Sequence, residues 1–233
     1  NNFFKSVEKK IYNLQRKIEI LQNYINETFE NNFSKEISDS KESQSQKKVL
    51  GDYIKIHKES INPQKHLKQK FYHYSIPAFD DGGEPTLEIG SSIKSTKFKL
   101  KKNVILFSKL NPGNPRVWFP DHDDNFEGIC STEFLVVSPN SNSNIEFLWG
   151  LFSSKKLQSQ FKSMVTGTSK SHQRIKSKDL ETIKIKMPIK DNTISKFSNK
   201  TKIILERILL CKKEISKLKE LRNILKTNLI FDK

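Results

Sequence analysis

Residues 104–118 read VILFSKLNPGNPRVW, and the organisation of the chain follows from them. Val104, Ile105, Leu106 and Phe107 form a short apolar run bounded by turn residues, the pattern of a core strand. In the polar loop that follows, Pro112 and Pro115 each fix a backbone angle and Gly113 permits an otherwise strained one. Lys109, Asn111, Asn114 and Arg116 are left as hydrogen-bond donors on a stiff platform before Val117 and Trp118 resume an apolar strand. Such a loop suits the reading of a polyanion; an ordinary surface turn is the other reading.

Outward from this stretch the apolar period is close to two. Leu50, Ile54 and Ile56 form one run, and Tyr72, Tyr74 and Ile76 form a second, ended by Pro77 and the turn Asp80-Asp81-Gly82-Gly83. Phe98 and Leu100 alternate with Lys97, Lys99 and Lys101, which predicts one face for a core and one for solvent or phosphate. Further strands are expected at 128–132 and 134–137, and a last one through Ile183, Ile185 and Met187, closed by Pro188. Asn144 is a good helix N-cap ahead of Ile145, Leu148, Trp149 and Phe152, with Leu157 and Phe161 on a second short helix. Their helical spacing makes these aromatics core residues rather than base-stacking platforms. A second polar stretch, 165–180, crowds Thr166, Thr168, Ser169, Lys170, Ser171, His172, Gln173 and Arg174 together after the break at Gly167.

Both ends of the chain change to a helical period. Val7, Ile11, Leu14, Ile18, Leu21, Ile25 and Thr28 step by four and three, the seam of a coiled coil. Ile204, Ile208, Cys211, Ile215, Leu218, Arg222, Leu225 and Leu229 repeat the pattern, with Arg222 interrupting and Leu221 and Ile224 widening the stripe. Two such seams satisfy one another or pair with a second copy in a homodimer. Either way they form a rod about 45 to 50 Å long, roughly one to one and a half turns of B-DNA. The fold class is therefore α+β: a coiled-coil helix at 1–34, a Ser-, Lys- and Glu-rich linker at 35–48, a β-rich domain at 49–190 and a second coiled-coil helix at 191–233.

The 233 residues are 34% hydrophobic, enough for one respectable core and a second element leaning on it. A net charge of +16, from 42 Lys and Arg against 26 Asp and Glu, favours an anionic partner such as nucleic acid. The domain at 49–190 alone holds 22 cations against 14 acids. Cys130 and Cys211 are far apart and lack companion ligands, so neither a zinc site nor a disulfide framework is indicated, and a reducing cytoplasm fits. No apolar run is long enough to span a bilayer. The chain begins without Met, as a piece of a longer protein would.

In their order, YSIPAFDDGGEP at 74–85, ILFSKLNPGNPRVW at 105–118, STEFLVV at 131–137 and GTSKSHQRIKSKDLETIKIKMP at 167–188, set between two helices, resemble the specificity subunit of type I restriction-modification systems. Such subunits usually carry two target recognition domains and two helical spacers, and this chain is similar to one half of that plan. The resemblance implies that the domain at 49–190 binds one half of a bipartite site in double-stranded DNA. It also implies that the helices set the half-site separation and dock the modification (methyltransferase) subunits, with a restriction subunit joining the full complex. It fits either a homodimer of halves or the C-terminal part of a longer chain. The junction into the distal helix departs from the family: MPIKDNTISKF at 187–197 stands where a proline-rich, Glu-Gln-containing segment is usual.

Chemistry of the chain's own is not indicated. Asn111-Pro112-Gly113-Asn114 lacks the second Pro and the aromatic that a DNA amino-methyltransferase needs to hold a flipped base, and no GxGxxG occurs. Pro120-Asp121 is followed by Glu133-Phe134-Leu135, where Leu135 occupies the place of a nuclease lysine. Asp121, Asp123 and Asp124 read as a solvated acidic turn sooner than a cation site. His57, His66, His73, His122 and His172 show no ligand spacing. The expectation is a non-catalytic DNA-recognition subunit without cofactor or metal. Its base and phosphate contacts are expected from Lys109, Asn111, Asn114 and Arg116 in one loop and Thr168, Ser169, Lys170, His172, Gln173 and Arg174 in the other. Lys94, Lys97 and Lys99 are assigned to phosphates. The competing readings are a coiled-coil scaffold with incidental basic charge and a self-sufficient enzyme.

Overall fold

The computed structural model describes residues 2–34, 45–122, 124–164, 173–188 and 192–231. Its centre is the apolar run at 105–108. Strand β7 (Ile105–Ser108) lies between β10 (Phe134–Pro139) and β8 (Val117–Trp118), and β10 also pairs with β2 (Ile54–His57), all antiparallel. Successive side chains of a strand point to opposite faces, so an unbroken apolar run demands cover on both. Ile105, Phe107, Leu135 and Val137 face a helical layer, whereas Val104, Leu106, Trp118, Phe134 and Val136 face a second sheet.

That second sheet has the order β3-β6-β9-β4-β5, from β3 (Ser60–Ile61), β6 (Lys97–Lys99), β9 (Glu127–Ser131), β4 (Lys70–Tyr74) and β5 (Thr86–Ile89). Only the β4–β9 pair is parallel, placing Tyr72 beside Gly128 and Tyr74 beside Cys130. Tyr74, Cys130, Tyr72 and Phe98 complete the core between the sheets. The opposite face carries a cluster of its own, Ile61, Phe71, Ile93 and Ile129. The alternation expected around Phe98 is corrected here. Lys97 is 6% exposed and its ammonium donates to the carbonyl and hydroxyl oxygens of Ser95, because β6 is an interior strand covered on both faces.

Ile76 belongs to no strand. It opens the short helix α2 (Ile76–Asp80), capped by Ser75, whose hydroxyl accepts from the Ala78 amide, with Pro77 at a position where a missing amide costs little. Gly82 and Gly83, at φ 107° and 72°, then turn the chain as the sequence predicts. Asn144 caps α3 (Ile145–Ser153) by accepting from the Phe147 amide, and α4 (Lys155–Ser163) follows at once behind Ser154. Phe107, Phe152 and Phe161 pack together, so these aromatics are core. After α5 (Ser177–Glu181), strand β11 (Lys184–Pro188) pairs antiparallel with β1 (Ser45–Val49), which starts within the stretch expected as linker.

The long helices α1 (Asn2–Phe29) and α6 (Thr193–Phe231) pack on one another. Val7, Ile11 and Leu14 meet Cys211 and Ile215, while Leu218, Leu221 and Leu225 extend the seam. Lys10 pairs with Glu214 and Glu8 with Arg222, and Lys226 lies over the Phe4 ring, so the helices run antiparallel. Of the two ways to satisfy the seams, the chain uses its own second helix. At the domain end, α1 finishes in a π-helical turn (Glu30–Ser34), and Phe29, Phe33, Phe147 and Phe197 form an aromatic cluster joining α1, α3 and α6. Gly150 makes that approach possible: a Cβ there would stand 2.5 Å from the Phe29 ring and 2.8 Å from Phe197.

Candidate nucleic-acid interface

The hairpin from β7 to β8 carries the predicted loop. Its base is closed by the Ser108 amide donating to the Arg116 carbonyl at 3.0 Å, and its tip by the Asn114 amide donating to the Asn111 carbonyl at 2.9 Å. The left-handed residue is Asn111, at φ 49°, and not Gly113. Asn tolerates that region better than other side-chain-bearing residues, so the loop needs no glycine for it. Gly113 and Asn114 are exposed at the tip.

The second predicted loop meets the first. The Asn111 amide donates to the Gln173 carbonyl at 2.9 Å, the Ile175 amide donates to the Lys109 carbonyl at 3.2 Å, and Leu110 and Arg174 form an antiparallel bridge. Lys109, Asn111, Gln173 and Arg174 are thus brought into one short ladder. Thr168, Ser169, Lys170 and His172 lie outside the described residues. Glu133, in the turn that carries the chain from β9 to β10, anchors the ladder: its carbonyl accepts from the Lys109 amide and its carboxylate takes Nε and Nη2 of Arg174, both at 3.1 Å.

Arg116 behaves differently. It is 8% exposed, and its Nε and Nη2 donate to the two oxygens of Asp80 at 2.7 and 2.8 Å. The guanidinium holds the Asp80 carboxyl below the usual carboxylate range. Arg116 therefore faces inward, tying the hairpin to the end of α2, and is not a donor on the open side of the loop. Lys97 is likewise turned in, as described above, while Lys94 is exposed on the connection into β6. Lys99 is engaged by Glu59 and Glu127.

The ladder's electrostatics are cationic. Burial pushes the Lys109 ammonium down; Glu133 opposes that shift, and the neighbouring charges of Arg174 and Lys58 add to it. The Lys109 ammonium thus feels one carboxylate, Glu133, and two cations, Arg174 and Lys58. Burial pushes the nearby Cys130 thiol up to about 12, with Lys97 and Lys109 opposing, which leaves it an inert core residue. Glu133 and Asp80 were not singled out as anchors by sequence reasoning, because their partners stand 41 and 36 residues away.

In the acidic segment, Asp121 pairs with Lys213 and Asp124 with Lys102, while Asp123 lies outside the described residues. Among the described residues no group of three or more His, Cys, Asp or Glu is placed to hold a metal ion, and no helix is long and apolar enough to cross a membrane. Glu84, Asp121, Lys212 and Lys213 line a cavity of about 550 Å³ between the domain and α6. Burial raises the Glu84 carboxyl, against the pull of Lys212 and Lys219, and lowers the Lys212 ammonium.

No family model matches the chain. In sequence it is 34% identical over 134 residues to the type I restriction enzyme HindI specificity subunit of Haemophilus influenzae, a match covering 56% of this chain and 26% of that protein. The chain thus spans about a quarter of the curated relative it matches. In fold it matches the S subunit of a type I restriction-modification system from M. genitalium, with a TM-score of 0.58 and 18% identity, over 96% of this chain and 57% of the other. A chain from a structure describing complex assembly and conformational transition of the type I R-M system matches with a TM-score of 0.55 and 20% identity, over 80% of this chain and 46% of that one. With related sequence over about half its length, and with a β-rich domain set between two long helices as in the matched structures, the chain is similar to the specificity subunits of type I restriction-modification systems.

Proposed function

We propose that the chain is a DNA sequence-recognition subunit that binds one half of a bipartite site and does no bond-making itself. The carrying observation is the ladder of Lys109, Asn111, Gln173 and Arg174: the backbones of residues 109–111 and 173–175, far apart in sequence, are stitched by hydrogen bonds into one cationic edge. Such stitching matters because donors fixed before binding lose less entropy on meeting base edges. Lys109, Asn111, Asn114, Gln173 and Arg174, with Thr168, Ser169, Lys170 and His172, supply base-edge and phosphate contacts; exposed Lys94 contacts phosphate. Arg116 acts on DNA through the loop it braces.

In this reading residues 49–190 are the reading head, and the helices at 1–34 and 191–233 are the spacer. At ~1.5 Å per residue, the 28 residues of α1 measure about 42 Å and the 39 of α6 about 58 Å. Their shared seam is internally satisfied, so partners meet the outer faces. There Tyr12, Ile20 and Tyr24 on α1, and Ile203, Leu210 and Ile224 on α6, are exposed. These faces receive the methyltransferase subunits, which with a restriction subunit perform the chemistry in the cytoplasm.

The test is binding of the full chain, with and without methyltransferase subunits, to duplex DNA across a salt series. Specific binding with a log–log salt slope of roughly −5 is expected if six cationic residues meet phosphates. Absence of duplex binding in low salt, even with the methyltransferase present, would return the chain to the scaffold reading.

A further inference from the structure

Lys58 follows β2 directly, in the run His57-Lys58-Glu59, where its charge and that of Glu59 look set to cancel. The fold separates them. The Glu59 carboxylate is drawn to Lys99 at 3.3 Å and Lys101 at 3.9 Å. Neighbouring residues of an extended chain point to opposite faces, so Lys58 leaves on the other side, the one on which Ile56 packs against the helical-layer core.

Lys109 reaches that same face from β7. Val136 of β10 stands opposite His57 of β2 on one side and Leu106 of β7 on the other, both antiparallel. Strands β2 and β7 therefore run the same way and leave the sheet at the same end. Phe107 belongs to the core that Ile56 packs against, and Lys109, two residues further on, shares its face. Both backbones are held in place: the Lys109 amide donates to the Glu133 carbonyl at 2.9 Å, and the Glu59 carbonyl accepts from the Lys99 amide at 2.9 Å.

Two ammonium groups are thus aimed at one place beside the ladder. Among the described residues neither makes an ion pair, and Glu133, the carboxylate between them, is already gripped by Arg174. Burial disfavours the Lys109 ammonium, and the charges of Arg174 and Lys58 add to that against the pull of Glu133. Like charges so placed repel, and an anion set between them turns the repulsion into attraction. Phosphate suits the place, because each ammonium brings a compact charge with three rotatable donors to oxygens that accept from several sides. Lys58 is exposed, so the place opens outward, as a phosphate belonging to a polymer requires.

We infer that Lys58 and Lys109 form a seat for a single phosphate of the DNA backbone beside the ladder. The inference rests on the DNA-recognition reading and deepens it, since phosphate contacts fix the register in which a reading loop meets the bases. Loss of either lysine should weaken binding by about 2- to 10-fold. Because one phosphate is shared, losing both should reduce the magnitude of the log–log salt slope by about 0.9, against about 1.8 for two separate phosphates.

The experiment uses the full chain with the methyltransferase subunits, and the duplex that they select from a randomised pool. A neutral methylphosphonate is placed singly at successive backbone positions. At one position the lesion is expected to weaken wild type about 2- to 10-fold and to cost the Lys58→Gln, Lys109→Gln double variant nothing. Each single variant should lose part of the cost at that same position. Lys58→Arg should keep the wild-type pattern, and Lys55→Gln, on the other face of β2, should not alter it. The inference would be overturned by a double variant that stays sensitive at every position, by the two single variants acting at different positions, or by a slope change near 1.8. A loss in Lys58→Arg or Lys55→Gln as large as that in Lys58→Gln would overturn it as well. A wild-type complex that binds no duplex would instead overturn the recognition reading, and the inference with it.

Discussion

Removing Asp80 should cost more stability than removing the arginine it holds. In Asp80→Ala the Arg116 guanidinium stays where it is, 8% exposed, with two donors deprived of their acceptors. Its third nitrogen, Nη1, is already buried without a partner among the described residues. A buried donor left unmade costs about 1–3 kcal/mol, more when charged. The Asp80 side chain is 46% exposed, so water enters the vacated space and returns part of that loss; we expect about 2–3 kcal/mol. In Arg116→Met the aliphatic volume is kept and the orphan is a half-exposed carboxylate that water solvates readily, so the expected cost is about 1 kcal/mol. Urea denaturation of the full chain at neutral pH measures both, with an unchanged slope as the check that the unfolded state is the same. Because Asp80 has a folded pKa below its unfolded one, its contribution is present above the ordinary aspartate range and is lost as pH falls through the folded value. The gap between wild type and Asp80→Asn should therefore be flat near neutrality and close in acid. Equal costs for the two variants, or a greater cost for Arg116→Met, would show that the fork is a surface pair and not a brace.

Three further outcomes are expected. Gly150→Ala places a methyl against Phe29 and Phe197 and should destabilise by about 1–3 kcal/mol, with a shifted urea midpoint as the readout. Glu84 has a folded pKa above its unfolded one, so its ionisation opposes folding once pH exceeds the unfolded value; Glu84→Gln should gain stability over wild type as pH rises through that window and match it in acid. Lys94→Ala should reduce the magnitude of the log–log salt slope of DNA binding by about one while leaving base preference unchanged, and a changed preference would make Lys94 a base contact.

Patterns that are local in sequence were legible in it. The apolar run at 105–107 announced a strand covered on both faces, Asn144 announced the start of α3, and the steps of four and three at Val7, Ile11 and Leu14 and at Ile208, Cys211 and Ile215 announced the helical seam. What failed turned on neighbours distant along the chain. Lys97 looked like the solvent side of an alternating strand, yet the cover over β6 comes from elements on either side of it in sequence. Arg116 looked like a donor on a stiff loop, and only the approach of α2 shows that its charge is committed to Asp80. The left-handed turn fell on Asn111 because the ladder to Gln173 sets the backbone there, which Pro112 and Gly113 could not disclose.

The pairing of β1 with β11, Ser45 opposite Pro188 and Val49 opposite Lys184, brings the way into the β-rich domain beside the way out. A different domain whose ends emerge side by side could therefore enter the chain at the same place, provided that it also met the helices where Phe147 meets Phe29 and Asp121 meets Lys213. On the proposed DNA-recognition role, what is read and how far apart it is read are then separable properties, open to independent change.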